Sequence, residues 1–339
     1  MLNVSSTSGI VQKCFFAFTL ILLQLKFLIG NRDISLNSIF TADSRLIVFF
    51  LCDICIFSLF HLKYNHTFVK KVNDLWYDLR IEHDYETRKY FWTHKVTYRL
   101  LQVTCLIFYL TFNIFHFYKW FNSGLEKLGN ADLFWASITR ALIFYPYLIS
   151  HNFILFDLSI LAETAMQNIE KHSKELYKEL LSNEKVLNFE AIHNLRLKYV
   201  QIHQLVDKIN EIISPCLLVY LINFICRFIH LVYLILFVQQ SGLSRLYQII
   251  GGIATFTITY FIIHLTLQVY LKSQQVILTV YKLSLKTDYL KVLNEITLFV
   301  NRNEIGFSLG GICMITSSTM TTLFSVLGTL IIAIPSFAR

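Results

Sequence analysis

Three ionisable side chains stand inside otherwise apolar runs of this 339-residue sequence: Asp53, Arg140 and Arg227. A charge surrounded by hydrocarbon is costly, so such groups pair with one another or face a water-filled cavity. Two readings stay open for them: a polar patch in a ligand pocket, or an ion pair that locks helices together. Tyr147, with Tyr109, Phe144 and Tyr220, either lines such a pocket or packs as plain core. A second constellation lies near the C-terminus, where eight hydroxyl residues interrupt an uncharged run from Thr316 to Thr329. Ser318, Thr322, Ser325 and Thr329 recur at i, i+4, i+7 and i+11, which places them within an arc of about 60° on a helix. Ser336 extends that stripe if the helix passes Pro335. A narrow, uncharged polar stripe suits the lining of a hydrated pore. The same hydroxyls also serve to bond the carbonyl one turn back or to pack small against a neighbour. Gly310, Gly311 and Gly328 fit close packing as well.

Catalytic patterns are missing. The eleven histidines form no HxxHH box and no HExxH pair, and His193 and His203 lie ten apart. No GxSxG, Walker or GxGxxG pattern occurs. All seven cysteines fall in apolar stretches, and the CxxC spacing of Cys52 and Cys55 has no partner pair. That spacing reads as small apolar packing rather than a metal site. Neither an enzyme nor a cofactor is expected.

The elements that must position these groups can be read from composition. The chain is 55% hydrophobic and 15% charged, with a mean hydropathy of +0.53. Soluble domains carry about 25% charged residues, so there is too little charge here to clothe a surface in water. With 3 Pro and 11 Gly, turn-rich all-β architectures are disfavoured. The expected fold class is all-α, a polytopic membrane protein. Seven runs are long enough to span a bilayer: 10–30, 46–62, 98–118, 133–160, 212–237, 246–271 and 311–335. The first contains Lys13 and Lys26, which can snorkel to opposite faces, and no small-residue cleavage site comes after it, so it reads as an uncleaved anchor.

Orientation comes from lysine and arginine counts. Segments 63–99, 164–211 and 272–307 hold eight, seven and five; the alternate connections hold two (Arg32, Arg45), two (Lys119, Lys127) and one (Arg245). The positive-inside rule then puts the N-terminus in the cytoplasm and the C-terminus outside, at the plasma membrane. The net charge of +8 is spread over these flanks and reads as topology, with no nucleic-acid partner. In this orientation Asp53, Arg140 and Arg227 fall in the middle or outer half of the bilayer. Two cytoplasmic segments carry apolar stripes: Leu195, Tyr199, Ile202, Val206 and Ile209, and then Tyr289, Leu293, Ile296 and Val300. Helical extensions below the membrane, packed into an anchor region, are expected. A G-protein-coupled receptor would need an outside N-terminus and an Asp-Arg-Tyr motif, and neither is found.

The inverted seven-span layout, the stretch LRLKYVQIHQLVDKINEIISPCLL at 195–218 and the end of the seventh span together resemble the insect gustatory receptors, within the seven-helix chemoreceptor-channel superfamily. The family's terminal signature is Thr-Tyr, five hydrophobic residues, Gln, Phe. It maps onto Thr329, the hydrophobic run and Phe337; Leu330 and Ser336 replace its Tyr and Gln, and Pro335 intrudes. The resemblance implies residues 1–160 as four helices of a ligand-pocket bundle and 161–211 as a cytoplasmic helical segment. Helices five and six occupy 212–271, an anchor segment 272–307, and the pore helix with an extracellular C-terminus 308–339. It further implies a homo- or heterotetramer that opens a cation pore for a small-molecule tastant or other chemical cue. The replaced signature residues leave a second expectation, a non-conducting relative or accessory subunit.

Overall fold

The computed structural model describes residues 63–124, 145–183, 188–237, 242–302 and 304–337, together with positions 52, 55 and 58. Among the described residues the α-helices are α1 (His66–Asp78), α2 (Tyr85–Gly124), α3 (Tyr145–Asn183), α4 (Phe189–Phe237), α5 (Gly242–Ser284), α6 (Leu290–Val300) and α7 (Ser317–Phe337), with a short 3-10 turn at Ile81–His83. A hairpin of two short strands, β1 (Ser308–Leu309) and β2 (Cys313–Met314), joins α6 to α7. The architecture is all-α, as expected.

Helix starts are marked by side-chain caps. The Asn65 side chain accepts from Phe68 N at 2.9 Å, Asp84 from Glu86 N at 3.2 Å, and Asn188 from Glu190 N at 3.0 Å. Each satisfies a donor that the first turn leaves unpaired. Between α1 and α2 the chain reverses through Arg80, whose φ of 49° is left-handed.

α4 has 49 residues, about 73 Å at 1.5 Å per residue, over twice the roughly 30 Å of bilayer hydrocarbon. α3 and α5, with 39 and 43 residues, are also far longer than a span. All three therefore continue as helix well beyond the length of a single span. α3 is the central element, and every residue from Leu158 to Met166 is buried. It packs against α5, α2 and α4.

The stripe Leu195, Tyr199, Ile202, Val206, Ile209 is buried throughout, with the Tyr199 ring 4.9 Å from that of Phe299 on α6, centroid to centroid. The second stripe is rotated from its expected register. α6 buries Val292, Glu295, Ile296 and Phe299, while Tyr289 caps the helix and stays 52% exposed. An 11-residue helix docked on two long ones is oriented by its partners, and Arg196 draws the Glu295 side inward. Among the described residues one stretch, Phe189–Cys226, is long and apolar enough to cross a membrane by length and composition. The other six expected spans include positions, or side chains, outside the described set.

Candidate functional site

The hydroxyl-bearing helix α7 begins later than its hydropathy suggests. Residues 311–316 are apolar enough to extend it, yet Gly310 and Gly311 adopt φ of +62° and +77°. Two successive positive φ values are left-handed positions that glycine enters without strain, and they open the three-residue loop between Leu309 and Cys313; Ile312 N closes on Leu309 O at 3.1 Å. Thr316 then caps the helix, accepting from Thr319 N at 3.1 Å. Of the three glycines expected in close packing, Gly310 lies tight on Leu218, whereas Gly311 and Gly328 face open space.

α7 packs on its own subunit through a narrow ridge. Leu327 is buried, and Met320 and Leu323 are half-buried. At 100° per residue the stripe Ser318, Thr322, Ser325, Thr329 points about 170° away from Leu327. All four stripe residues are exposed. Three of the hydroxyls turn their hydrogens back into the helix: Thr322 to Ser318 O at 3.0 Å, Ser325 to Thr321 O at 2.9 Å and Thr329 to Ser325 O at 2.9 Å. Such a stripe therefore offers hydroxyl oxygen outward, an uncharged acceptor surface. The helix does pass Pro335 and reaches Phe337, so Ser336 lies on α7; its side chain is outside the described residues.

A cavity of about 420 Å³ flanks the ridge, lined by Leu217 and Leu221 of α4, Ile263 of α5, and Ile315, Ser318, Thr322 and Val326 on the α7 side. A smaller hollow of about 150 Å³ lies beside it, against Phe224, Phe256, Tyr260 and Phe324. α7 thus has space on its flanks.

The expected ligand-pocket residues are less completely placed. Asp53 and Arg140 lie outside the described residues, and so do the side chains of Tyr147 on α3 and Arg227 on α4. Of the companion aromatics, Tyr220 is buried and donates to Asn152 Oδ1.

A buried charged cluster emerges instead that sequence reasoning passed over. Glu163 of α3 and Lys272 of α5 form an ion pair and are 2% and 8% exposed. Tyr90 of α2 donates to Glu163 Oε1 at 2.5 Å and accepts from Lys272 Nζ at 3.2 Å. Burial, then the charge of Glu163 and its hydrogen bond, push the Tyr90 phenol far above its ordinary range. Three long helices are thereby tied by one carboxylate. The signal was available: Glu163 and Lys272 each stand just past an apolar run, 133–160 and 246–271, that exits on the same side. Nearby, Asn168 donates to Asp84 Oδ2 at 3.2 Å and to Thr87 Oγ1 at 3.0 Å. Burial raises the Asp84 pKa, but the Thr87 hydrogen bond and the Lys171 charge outweigh it and hold the carboxyl below its usual range.

At the far end of α4, Glu295 accepts from His193 Nδ1 at 2.9 Å and from Arg196 Nε at 2.5 Å, clamping α6. Among the described residues no cluster of three His, Cys, Asp or Glu is placed to hold a metal.

This arrangement of long helices has counterparts among solved structures. No family model and no curated protein sequence matches the chain. The insect olfactory receptor OR5 from Machilis hrabei, in complex with eugenol, superposes with a TM-score of 0.69 at 11% identity, over 96% of this chain and 88% of that one. A second structure of that receptor gives 0.62 at 11% identity, over 95% and 86%. The chain shares the fold of an insect olfactory receptor. At 11% identity the correspondence is one of fold. Within this olfactory-receptor fold, α7 is the last helix of the chain's bundle and the hairpin is the link that delivers it.

Proposed function

We propose that this chain is a subunit of a chemosensory, gustatory-type receptor that acts as a ligand-gated, non-selective cation channel. It threads the plasma membrane several times, with its N-terminus in the cytoplasm and its C-terminus outside. Four copies, of this chain or of this chain and relatives, bring their α7 helices together around a pore lined by Ser318, Thr322, Ser325, Thr329 and Ser336. The observation that carries the reading is that the hydroxyl stripe is exposed and faces away from the subunit's own packing ridge. Around a shared axis it supplies a ring of uncharged oxygen acceptors, which suits a permeating hydrated cation. Support also comes from the olfactory-receptor fold, and from exposed apolar side chains such as Leu100, Ile107, Ile222 and Ile253 on segments assigned to the bilayer. The cue is a small organic molecule, by analogy with the eugenol held by the Machilis receptor; Asp53, Arg140, Arg227 and Tyr147 are candidates to meet it.

Expression in cells with a panel of small aromatic and sapid compounds tests this. Ligand-evoked cation current is expected, with Thr322→Leu or Thr329→Leu abolishing it or changing its selectivity. A surface-expressed tetramer that conducts with no compound and no partner subunit would sink the proposal.

A second reading, a non-conducting accessory subunit, draws on Leu330 and Ser336 in place of the gustatory signature's Tyr and Gln, and on the three stripe hydroxyls bonded into their own helix. Co-expression with a conducting relative, in which this chain alters current that it cannot carry alone, would favour it.

A further inference from the structure

α4 runs unbroken through Pro215. Proline has no N–H, so the carbonyl four residues earlier, on Glu211, loses its helical donor, and a helix bends most readily at such a gap. That carbonyl accepts instead from Lys63 Nζ at 2.9 Å. Lys63 is the first residue beyond the expected second span, 46–62. The hairpin that delivers α7 is fastened at the same place. The Ser214 carbonyl accepts from Gly310 N at 3.0 Å, and the Ser214 hydroxyl accepts from Gly311 N at 3.0 Å. Asn210 holds Ser308 from both sides, accepting from its N–H at 3.1 Å and donating to its hydroxyl at 3.1 Å. Beyond the proline, Leu218 lies so close to Gly310 that a Cβ there would come within 2.5 Å of its Cδ2.

The hairpin therefore straddles the missing hydrogen bond, anchored by Asn210 and Ser214 before Pro215 and seated on Leu218 after it. Any change in the bend of α4 alters the spacing that the hairpin must bridge.

We propose that this gap in the hydrogen bonding is a mechanical junction: Lys63, by occupying the Glu211 carbonyl, limits how far α4 can bend at Pro215, and that limit sets the seating of the hairpin and the first turn of α7. Withdrawal of the Lys63 ammonium would loosen the final helix at its base. The junction does not require α7 to line a pore. Its test reads backbone exchange rather than current, so it stands or falls separately from the channel assignment.

Hydrogen–deuterium exchange on the full-length protein in lipid nanodiscs decides the matter. Lys63→Met removes the donor at a site far from the hairpin in sequence. Loss of one hydrogen bond should speed exchange in 305–316 by about three- to tenfold, leave α6 (290–300) unchanged, and be reversed by Lys63→Arg. Pro215→Ala restores an N–H that can serve the Glu211 carbonyl, so in that background Lys63→Met should change nothing. Three results would overturn the junction: no change in 305–316, an equal rise in 290–300, or an undiminished effect in the Pro215→Ala background.

Discussion

Replacing Lys272 with methionine should be among the most damaging single changes available to this fold. The substitution keeps the length of the side chain and removes the only cation bonded to Glu163 among the described residues. Glu163 is 2% exposed, and its Oε2 has no hydrogen-bond partner even with Lys272 in place. After the change only the Tyr90 hydroxyl at 2.5 Å remains to balance the carboxylate. Removing one partner of a buried pair costs about 3–5 kcal/mol, because the other charge is stranded in a low-dielectric interior. In a chain of this size, at about 2 °C per kcal/mol, the denaturation midpoint should fall by about 6–10 °C. Thermal denaturation of detergent-solubilised protein, followed by the monodisperse fraction on size exclusion, measures this. The double variant Glu163→Leu/Lys272→Met should recover most of the loss, since an apolar pair of similar size no longer strands a charge. A loss below about 1 kcal/mol for Lys272→Met, or a double variant as unstable as the single one, would refute the claim that this cluster ties α2, α3 and α5 together.

The same geometry bears on three further perturbations. Gly310→Ala must place a Cβ 2.5 Å from Leu218 at a φ of +62° and should reduce the yield of folded protein, whereas Gly311→Ala, at φ +77° but in open space, should show the milder cost of backbone strain alone; expression-normalised thermal midpoints separate the two. Thr316→Ala removes the α7 cap at a cost of about 1 kcal/mol, and exchange at Thr319, whose N–H the cap accepts from at 3.1 Å, should rise while the middle of α7 is unaffected. The α4–α6 clamp should be acid-sensitive: burial raises the Glu295 pKa, but the hydrogen bonds and charges of Arg196 and His193 outweigh it and hold it below the ordinary glutamate value. A carboxyl with a depressed folded-state pKa stabilises the fold above its unfolded value of about 4.3, and that contribution disappears as pH falls through the folded value. Melting curves taken from neutral pH down to about 3 should show this decline, and Glu295→Gln should flatten it.

Much of the architecture was legible because it depends on local periodicity. The stripe from Leu195 to Ile209 reports burial directly, since a helix carrying apolar residues at that spacing must hide one face; all five positions are buried. Long runs of helix-forming residues with few glycines and prolines similarly foretell α3, α4 and α5. The stripe from Tyr289 to Val300 misled because α6 is short. Its orientation is set by the Arg196–Glu295 pair and by Phe299 against Tyr199, and both contacts come from another helix. The apolar run that begins at 311 overstates α7, because hydropathy does not distinguish an apolar hairpin from a helical turn; the Gly-Gly pair and the Thr316 cap do.

By itself, then, the sequence determined the features that neighbours along the chain dictate: helix content and the hydroxyl spacing on α7. Tertiary structure decided which groups from distant segments meet. Glu163 and Lys272 are 109 residues apart, and Lys63 reaches the Glu211 carbonyl across 148. The direction the α7 stripe faces also needed the packed bundle, since periodicity places residues on one side of a helix without saying what lies opposite. The physical reason is the same in each case: helical phase is set by backbone geometry over a few residues, whereas ion pairing and packing depend on where separate helices cross.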